Sequence, residues 1–348
     1  MNTRFVFLVS ICLLALLLAS SSVMAQNQRT GTTAAPWLLI PTGARDLAMG
    51  GSSIATTSGV EAVHWNPAGV GKLSGSAEAM FSSMTYIADM SMIYGAVAGD
   101  FGDFGTLGFS IKSLAIGDIP ITSQTDPEGL GGRSFSPTFV SVGVTYARDI
   151  TESIAFGVTV KLVNETIDRV SANAVAFDFG IQYMNLVGVQ GLDLGLAIKN
   201  VGTEMKYDGS GLYLQAQAQT GGRGPQLYKA DAASAELPAL IELGLTYEST
   251  FSDNILFEVG GSYTNDNLFY DEFKFGAEVG YAMESSLTLF ARGGFATLAQ
   301  MNDENIYGPT FGVGLGYDFT GLEVTVDYAY RSVDFFDANQ VISVKLGF

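Results

Sequence analysis

Cysteine is almost missing from this chain of 348 residues: there is one, Cys12, and it sits in an N-terminal leader. Beyond the leader, no disulfide, thiolate metal site or cysteine nucleophile can be built. Histidine is reduced to one, His64. That is too few for a zinc site, and no serine and acid are spaced to make it the base of a triad. Charge is scarce, at 15% of residues, where soluble domains carry about 25%. The balance is acidic, −18 net, so nothing offers the basic patch that nucleic acid requires. The oxygen-rich clusters Asp253-Asn254, Asp266-Asn267 and Asp303-Glu304-Asn305 lack the spacing of an EF-hand and suit turn chemistry instead. No catalytic group, cofactor or metal site is expected. After the leader, no apolar run approaches the ~18 residues that mark a membrane-spanning helix.

Apolar residues nevertheless make up 47% of the chain, with 42 Gly, 23 Phe and 15 Tyr. An apolar, aromatic, charge-poor chain without long apolar runs has the profile of a β-barrel whose outside faces lipid. The leader, Met1 to Ala25, has Arg4 at its start, an apolar body from Phe5 to Leu18, and the small residues Val23 and Ala25 around Met24. It reads as a secretory signal peptide, 1–25, cleaved before Gln26. Residues Gln26 to Pro36 are polar and read as a periplasmic tail.

From residue 74 to the end the hydrophobic period is two. In Leu322 to Arg331, residues Leu322, Val324, Val326, Tyr328 and Tyr330 face one way, opposed by Glu323, Thr325, Asp327, Ala329 and Arg331. The alternation repeats along the chain and gives an antiparallel barrel of roughly 14 strands. Their approximate bounds are 75–84, 90–101, 105–115, 137–148, 153–165, 172–184, 191–200, 237–248, 254–264, 271–282, 286–296, 309–319, 321–331 and 339–348. In the first two, Met80, Phe81, Met92, Ile93 and Val97 do not hold one face. Short connections follow the even-numbered strands. Every long one (116–136, 201–236, 297–308, 332–338) follows an odd-numbered strand, as expected of inner turns and outer loops. The inward faces carry both signs, among them Lys112, Glu242, Glu278, Arg292 and Asp327, so a filled lumen is expected rather than an ion-selective pore.

The stretch Gly43 to Leu73 does not alternate. It reads as a compact packed segment with one sharp corner at Trp65-Asn66-Pro67-Ala68-Gly69. Gly43-Ala44-Arg45, Leu47, Met49-Gly50-Gly51, Glu61 and this corner resemble the opening of the PorV/PorQ family of outer-membrane proteins, within the FadL-like superfamily. The resemblance implies that residues 26–73 form a tail and a hatch in the lumen of a barrel spanning 74–348, with Gly43, Arg45, Gly50, Gly51, Trp65, Asn66, Pro67 and Gly69 as the hatch motif. The C-terminal strand ends on Phe348, like the terminal signal by which barrels are recognised for outer-membrane assembly. The resemblance implies further a non-enzymatic component of type IX secretion in the outer membrane of a Gram-negative-type bacterium. Its partners would be outer-membrane lipid, secreted cargo proteins and secretion-machine subunits, engaged by the loops 116–136 and 201–236. A FadL-like transporter of a hydrophobic ligand is the alternative, with Leu212-Tyr213-Leu214 and Leu227-Tyr228 as an apolar capture surface.

Overall fold

The computed structural model describes residues 32–217, 224–267, 269–284, 286–299 and 305–348. The signal peptide and its cleavage site lie outside the described residues, as do Asp303 and Glu304.

Fourteen antiparallel strands close into one barrel. They are β1 (Ala77–Thr85), β2 (Ser91–Asp100), β3 (Thr106–Ala115), β4 (Thr138–Thr151), β5 (Ile154–Ile167), β6 (Val170–Tyr183) and β7 (Leu192–Gly202). The second half comprises β8 (Leu240–Ser252), β9 (Ile255–Asp266), β10 (Glu272–Glu284), β11 (Leu287–Leu298), β12 (Tyr307–Phe319), β13 (Leu322–Val333) and β14 (Asn339–Gly347). Closure comes from β14 pairing with β1, from Glu78 opposite Gly347 to Thr85 opposite Gln340. Every wall strand thus has two neighbours, which lipid demands because it offers no partner to an open edge. No described helix is long and apolar enough to cross a membrane.

The period-two pattern places each residue. On β13, Thr325, Asp327 and Ala329 are buried in the lumen, while Val326, Tyr328 and Tyr330 are exposed on the outer face. The outer face is apolar all round, with Leu162, Phe311, Val313 and Ile342 among its exposed residues. The two longest connections, 116–137 and 203–239, leave from the same end as every other turn after an odd-numbered strand. Each folds on itself in short hairpins, Ile119–Pro120 with Ser134–Phe135 and Tyr213–Ala216 with Gln226–Lys229.

The broken alternation of β1 and β2 has a packing cause. Met80, Tyr94, Ala96 and Ala98 point inward but meet apolar Val60, Val63 and Val70 of the N-terminal segment rather than water or polar groups. Met84 and Met92 meet a second cluster that includes Trp37, Leu38 and Leu47. Both faces of these strands are therefore apolar, and the period is lost.

That N-terminal segment lies inside the barrel. It begins at the long-loop end, not at the short-turn end expected for a periplasmic tail. The Ala34 amide donates to Glu236 O at 2.8 Å, in the connection between β7 and β8. Trp37 Nε1 donates to Glu165 Oε1 at 2.8 Å, near the tip of β5. Ala34 and Ala35 are buried, and the apolar Trp37-Leu38 turn next to them explains why this stretch packs instead of trailing. The segment then descends through α1 (Ala44–Ala48) and α2 (Ala62–Trp65) to the short-turn end, where it enters β1.

Candidate functional site: a plug bonded to its wall

The plug is built from short turns because its sequence permits nothing longer. Gly43, with φ 79°, opens α1, and Gly50 and Gly51, with φ 68° and 78°, end it after five residues. A side chain at Gly50 would meet Phe275 O and Phe295 N at 2.9 Å, so these glycines let the plug backbone touch the wall. Wall glycines reciprocate. A Cβ at Gly157 or Gly180 would overlap Pro67 and Asn66, and one at Gly312 would crowd Ala48. The alternating glycines of β12 thus make room for neighbours: Gly312 for the plug, and Gly314 for the Arg292–Asp327 pair.

The corner is closed by its own side chains. Asn66 Nδ2 donates to Ile54 O at 2.8 Å and to Ile181 O of β6 at 3.2 Å. Its Oδ1 accepts the Ala68 amide at 3.2 Å, capping the short helical turn that Pro67 begins. Trp65 Nε1 donates to Thr42 O at 3.0 Å, tying the corner to the descending part of the plug. Gly69 admits Thr57 O where a side chain would collide. At the far terminus, Phe348 O accepts the Ser76 amide at 2.6 Å, and the Phe348 amide donates to Ala77 O at 2.8 Å.

Charges hold the plug across the lumen. Arg45 reaches Glu258 Oε2 at 3.0 Å and Glu278 Oε2 at 3.1 Å, and Glu278 also accepts from Arg292, which pairs with Asp327 at 2.5 Å. Glu61 faces Lys345 at 3.6 Å. Lys112 donates to Leu38 O at 2.9 Å and to Ile40 O at 2.5 Å. The Glu78 carboxylate accepts the amides of Val60 and Ser74 at 2.8 Å and 2.7 Å. Such buried pairs fix position more than they add stability, because desolvation offsets much of their attraction. The sequence motif contained Arg45 but not Asp46, Glu78, Gln182 or Glu258. The inward register of Glu258 was legible from its strand's alternation; its plug partners Arg45 and Thr56, some two hundred residues away, were not.

Burial raises the Asp46 carboxyl, with Glu61 adding to the rise, up to about 7, against the pull of Arg45 and Ser53. His64 packs edge-on against Trp65 at 5.3 Å and Tyr94 at 6.1 Å. Burial, reinforced by the nearby lysines, holds its imidazole well below its usual range, hence neutral. Above the plug, toward the long loops, remains a cavity of about 550 Å³ with Leu38, Trp65, Lys199, Leu240, Tyr307 and Arg331 on its walls.

A closed barrel with an internal plug bonded to its wall defines a plugged outer-membrane β-barrel. The chain belongs to the PorV family: residues 23–221 match the model for type IX secretion system protein PorV. It is therefore a protein of the outer membrane of a Gram-negative-type bacterium. No curated protein matches it by sequence. Among solved structures it resembles the toluene transporter TodX of Pseudomonas putida, with 13% identity, TM-score 0.52, and 86% of this chain and 96% of that one covered. It also resembles the toluene transporter TbuX of Ralstonia pickettii, with 13% identity, TM-score 0.53, and 88% and 98% covered. A Pseudomonas aeruginosa FadL homologue is similar too, at 11% identity, TM-score 0.51, and 89% and 98% covered. At these identities the likeness is one of fold.

Proposed function

We propose that this barrel is a non-catalytic component of type IX secretion that binds exported proteins at the cell surface through its outer loops. The family match carries this reading. The hairpin Tyr213–Ala216 with Gln226–Lys229, in the long connection between β7 and β8, supports this reading, since Leu214 and Leu227 are 58% and 73% exposed. Exposed apolar residues on a surface loop are a common mark of a protein-binding site. The ion pairs of Arg45 and Glu61 support a plug that stays in place, which suits a binding platform better than a conduit.

The test is Leu214→Ser with Leu227→Ser in the native host. Secreted proteins should accumulate in the periplasm while the barrel still runs as a folded, heat-modifiable species. Normal delivery to the surface by the double variant would overturn the reading. Passage of hydrophobic small molecules remains the second reading, favoured by the cavity above the plug.

A further inference from the structure

At the long-loop end of the lumen, polar side chains from four neighbouring strands meet. Arg331 of β13 and Asn339 of β14 stand directly opposite each other in the ladder. Both belong to the inner set of their strands, next to buried Ala329 and Val341. Their Cβ atoms are therefore about 5 Å apart. Tyr86 follows the last rung between β1 and β14, Thr85 opposite Gln340, and so comes alongside Asn339. Tyr307 of β12 arrives from the other side, its ring 3.9 Å from the Arg331 guanidinium. The Tyr86 and Tyr307 hydroxyls meet at 2.5 Å, joining β1 to β12 across the two strands between them.

The hydrogen bonds of this niche do not close within the protein. Arg331 Nε and Nη2 are buried with no partner among the described residues, and so are Asn339 Nδ2 and Oδ1. Asn339 is 0% exposed. In the tyrosine pair one hydroxyl donates to the other, which leaves one proton to give. A guanidinium edge, an amide NH₂ and a hydroxyl thus face one unbonded acceptor, the Asn339 oxygen. Buried polar groups are costly unpaired, and charged ones most of all. The other lumen arginines have carboxylates: Arg45 has Glu258 and Glu278, and Arg292 has Asp327. The lysines of the cavity wall are engaged as well. Lys161 pairs with Asp178 at 2.8 Å, and Lys199 and Lys274 share Glu242 at 3.4 Å and 3.0 Å.

We propose that this niche binds one free inorganic phosphate, held by the Arg331 edge, the Asn339 amide and the spare hydroxyl of the Tyr86–Tyr307 pair. Nε and Nη2 form the side of a guanidinium that grips two oxygens in a forked pair. Asn339 Nδ2 and the tyrosine pair come from other strands and ask for further oxygens, which a tetrahedral anion has and a carboxylate has not. Asn339 Oδ1 needs a donor. Hydrogen phosphate carries a proton for it at neutral pH, and sulfate carries none. Tyr86, Tyr307 and Arg331 also line the cavity that faces the long loops, so the anion comes from the water outside. Once bound, it neutralises Arg331 and ties β1, β12, β13 and β14 together at the outer rim. The site is independent of the secretion role: its loss leaves the hairpin test untouched, and the converse holds.

The full mature chain, folded in phosphate-free maltoside micelles, is titrated with sodium phosphate by calorimetry at fixed ionic strength in chloride. One equivalent should bind saturably and more tightly than sulfate or acetate. Arg331→Gln should weaken binding by about tenfold or more, and Arg331→Lys by less, because an ammonium keeps the charge and loses the fork. Asn339→Leu removes the amide without stranding a polar group. It should weaken binding by about fivefold and erase the preference for phosphate over sulfate. Lys206→Gln, on the exposed outer loop, should change nothing. Heat-modifiable mobility shows that each variant is folded. Absence of saturable uptake by the wild type would mean that water serves these groups, and would overturn the proposal. So would undiminished affinity in Arg331→Gln, an equal loss in Lys206→Gln, or sulfate or acetate binding as tightly as phosphate. The source is tested in phosphatidylglycerol bilayers, where affinity for the free ion should be unchanged. Its loss there would assign the site to a lipid headgroup and overturn the free ion.

Discussion

At the scale of single residues, the plug is governed by carboxylates that the wall and the turns force into register. Asp46 is the sharpest case. It is fully buried, and its carboxyl rises from 3.8 to about 7. A raised carboxyl contributes stability when protonated. That contribution is complete below about pH 4 and is lost as the pH rises to about 7, a change on the order of 4 kcal/mol. The groups facing it are Arg45, Glu61, Glu258 and Ser53. The plug should therefore resist urea better at about pH 5 than at about pH 8, followed by tryptophan emission from Trp37 and Trp65. Asp46→Asn should flatten the difference. A wild-type plug equally resistant at both pH values, or one more resistant at the higher, would show that Asp46 is ionised at little cost.

At the scale of elements, the wall and the plug obey different rules, and substitutions can separate them. On β13, Val326 is 43% exposed on the outer face and Thr325 is 6% exposed on the inner one. Val326→Arg should cost roughly 2–4 kcal/mol near the midplane, while Thr325→Ser should be nearly silent. Equal tolerance in a folding assay would reverse the assigned faces. In the plug, Asn66→Ala with Pro67→Ala removes the cap on Ala68 and the bonds to Ile54 and Ile181. Each buried amide or carbonyl left unpaired costs about 1–3 kcal/mol. The wall does not need these bonds, because its ladder closes on itself. The double variant should fold and then flicker or leak in planar bilayers, where the wild type stays nearly closed. A large steady conductance in the wild type would mean the plug does not seal.

At the scale of the whole molecule, much was legible in the sequence because a barrel in lipid has so few degrees of freedom. Once one face must be apolar, every second residue is fixed. That is why β13 could be read from Leu322 onward, and why only β1 and β2, whose inner faces pack against apolar clusters of the plug, blurred. The plug was less legible. Its turns were marked by Gly43, Gly50, Gly51 and Pro67, but its direction was not. Ala34 bonds to Glu236 across some two hundred residues of chain, and no local pattern reports such a distance.

The direction of the plug has a consequence for how the molecule is made. The described chain starts at the outer end, passes down the lumen and turns into β1 at the inner end, while β14, the last strand, seals against β1. Topologically this is a thread through an eye whose rim is stitched by the final residues. An eye already stitched would have to draw the thread's free end through a space filled with side chains. An open one can be wrapped around it. The plug, which precedes every wall strand in the chain, therefore has to be in place when the last strand arrives. Closure is the event that turns a folded sheet with a loose leading segment into a locked object.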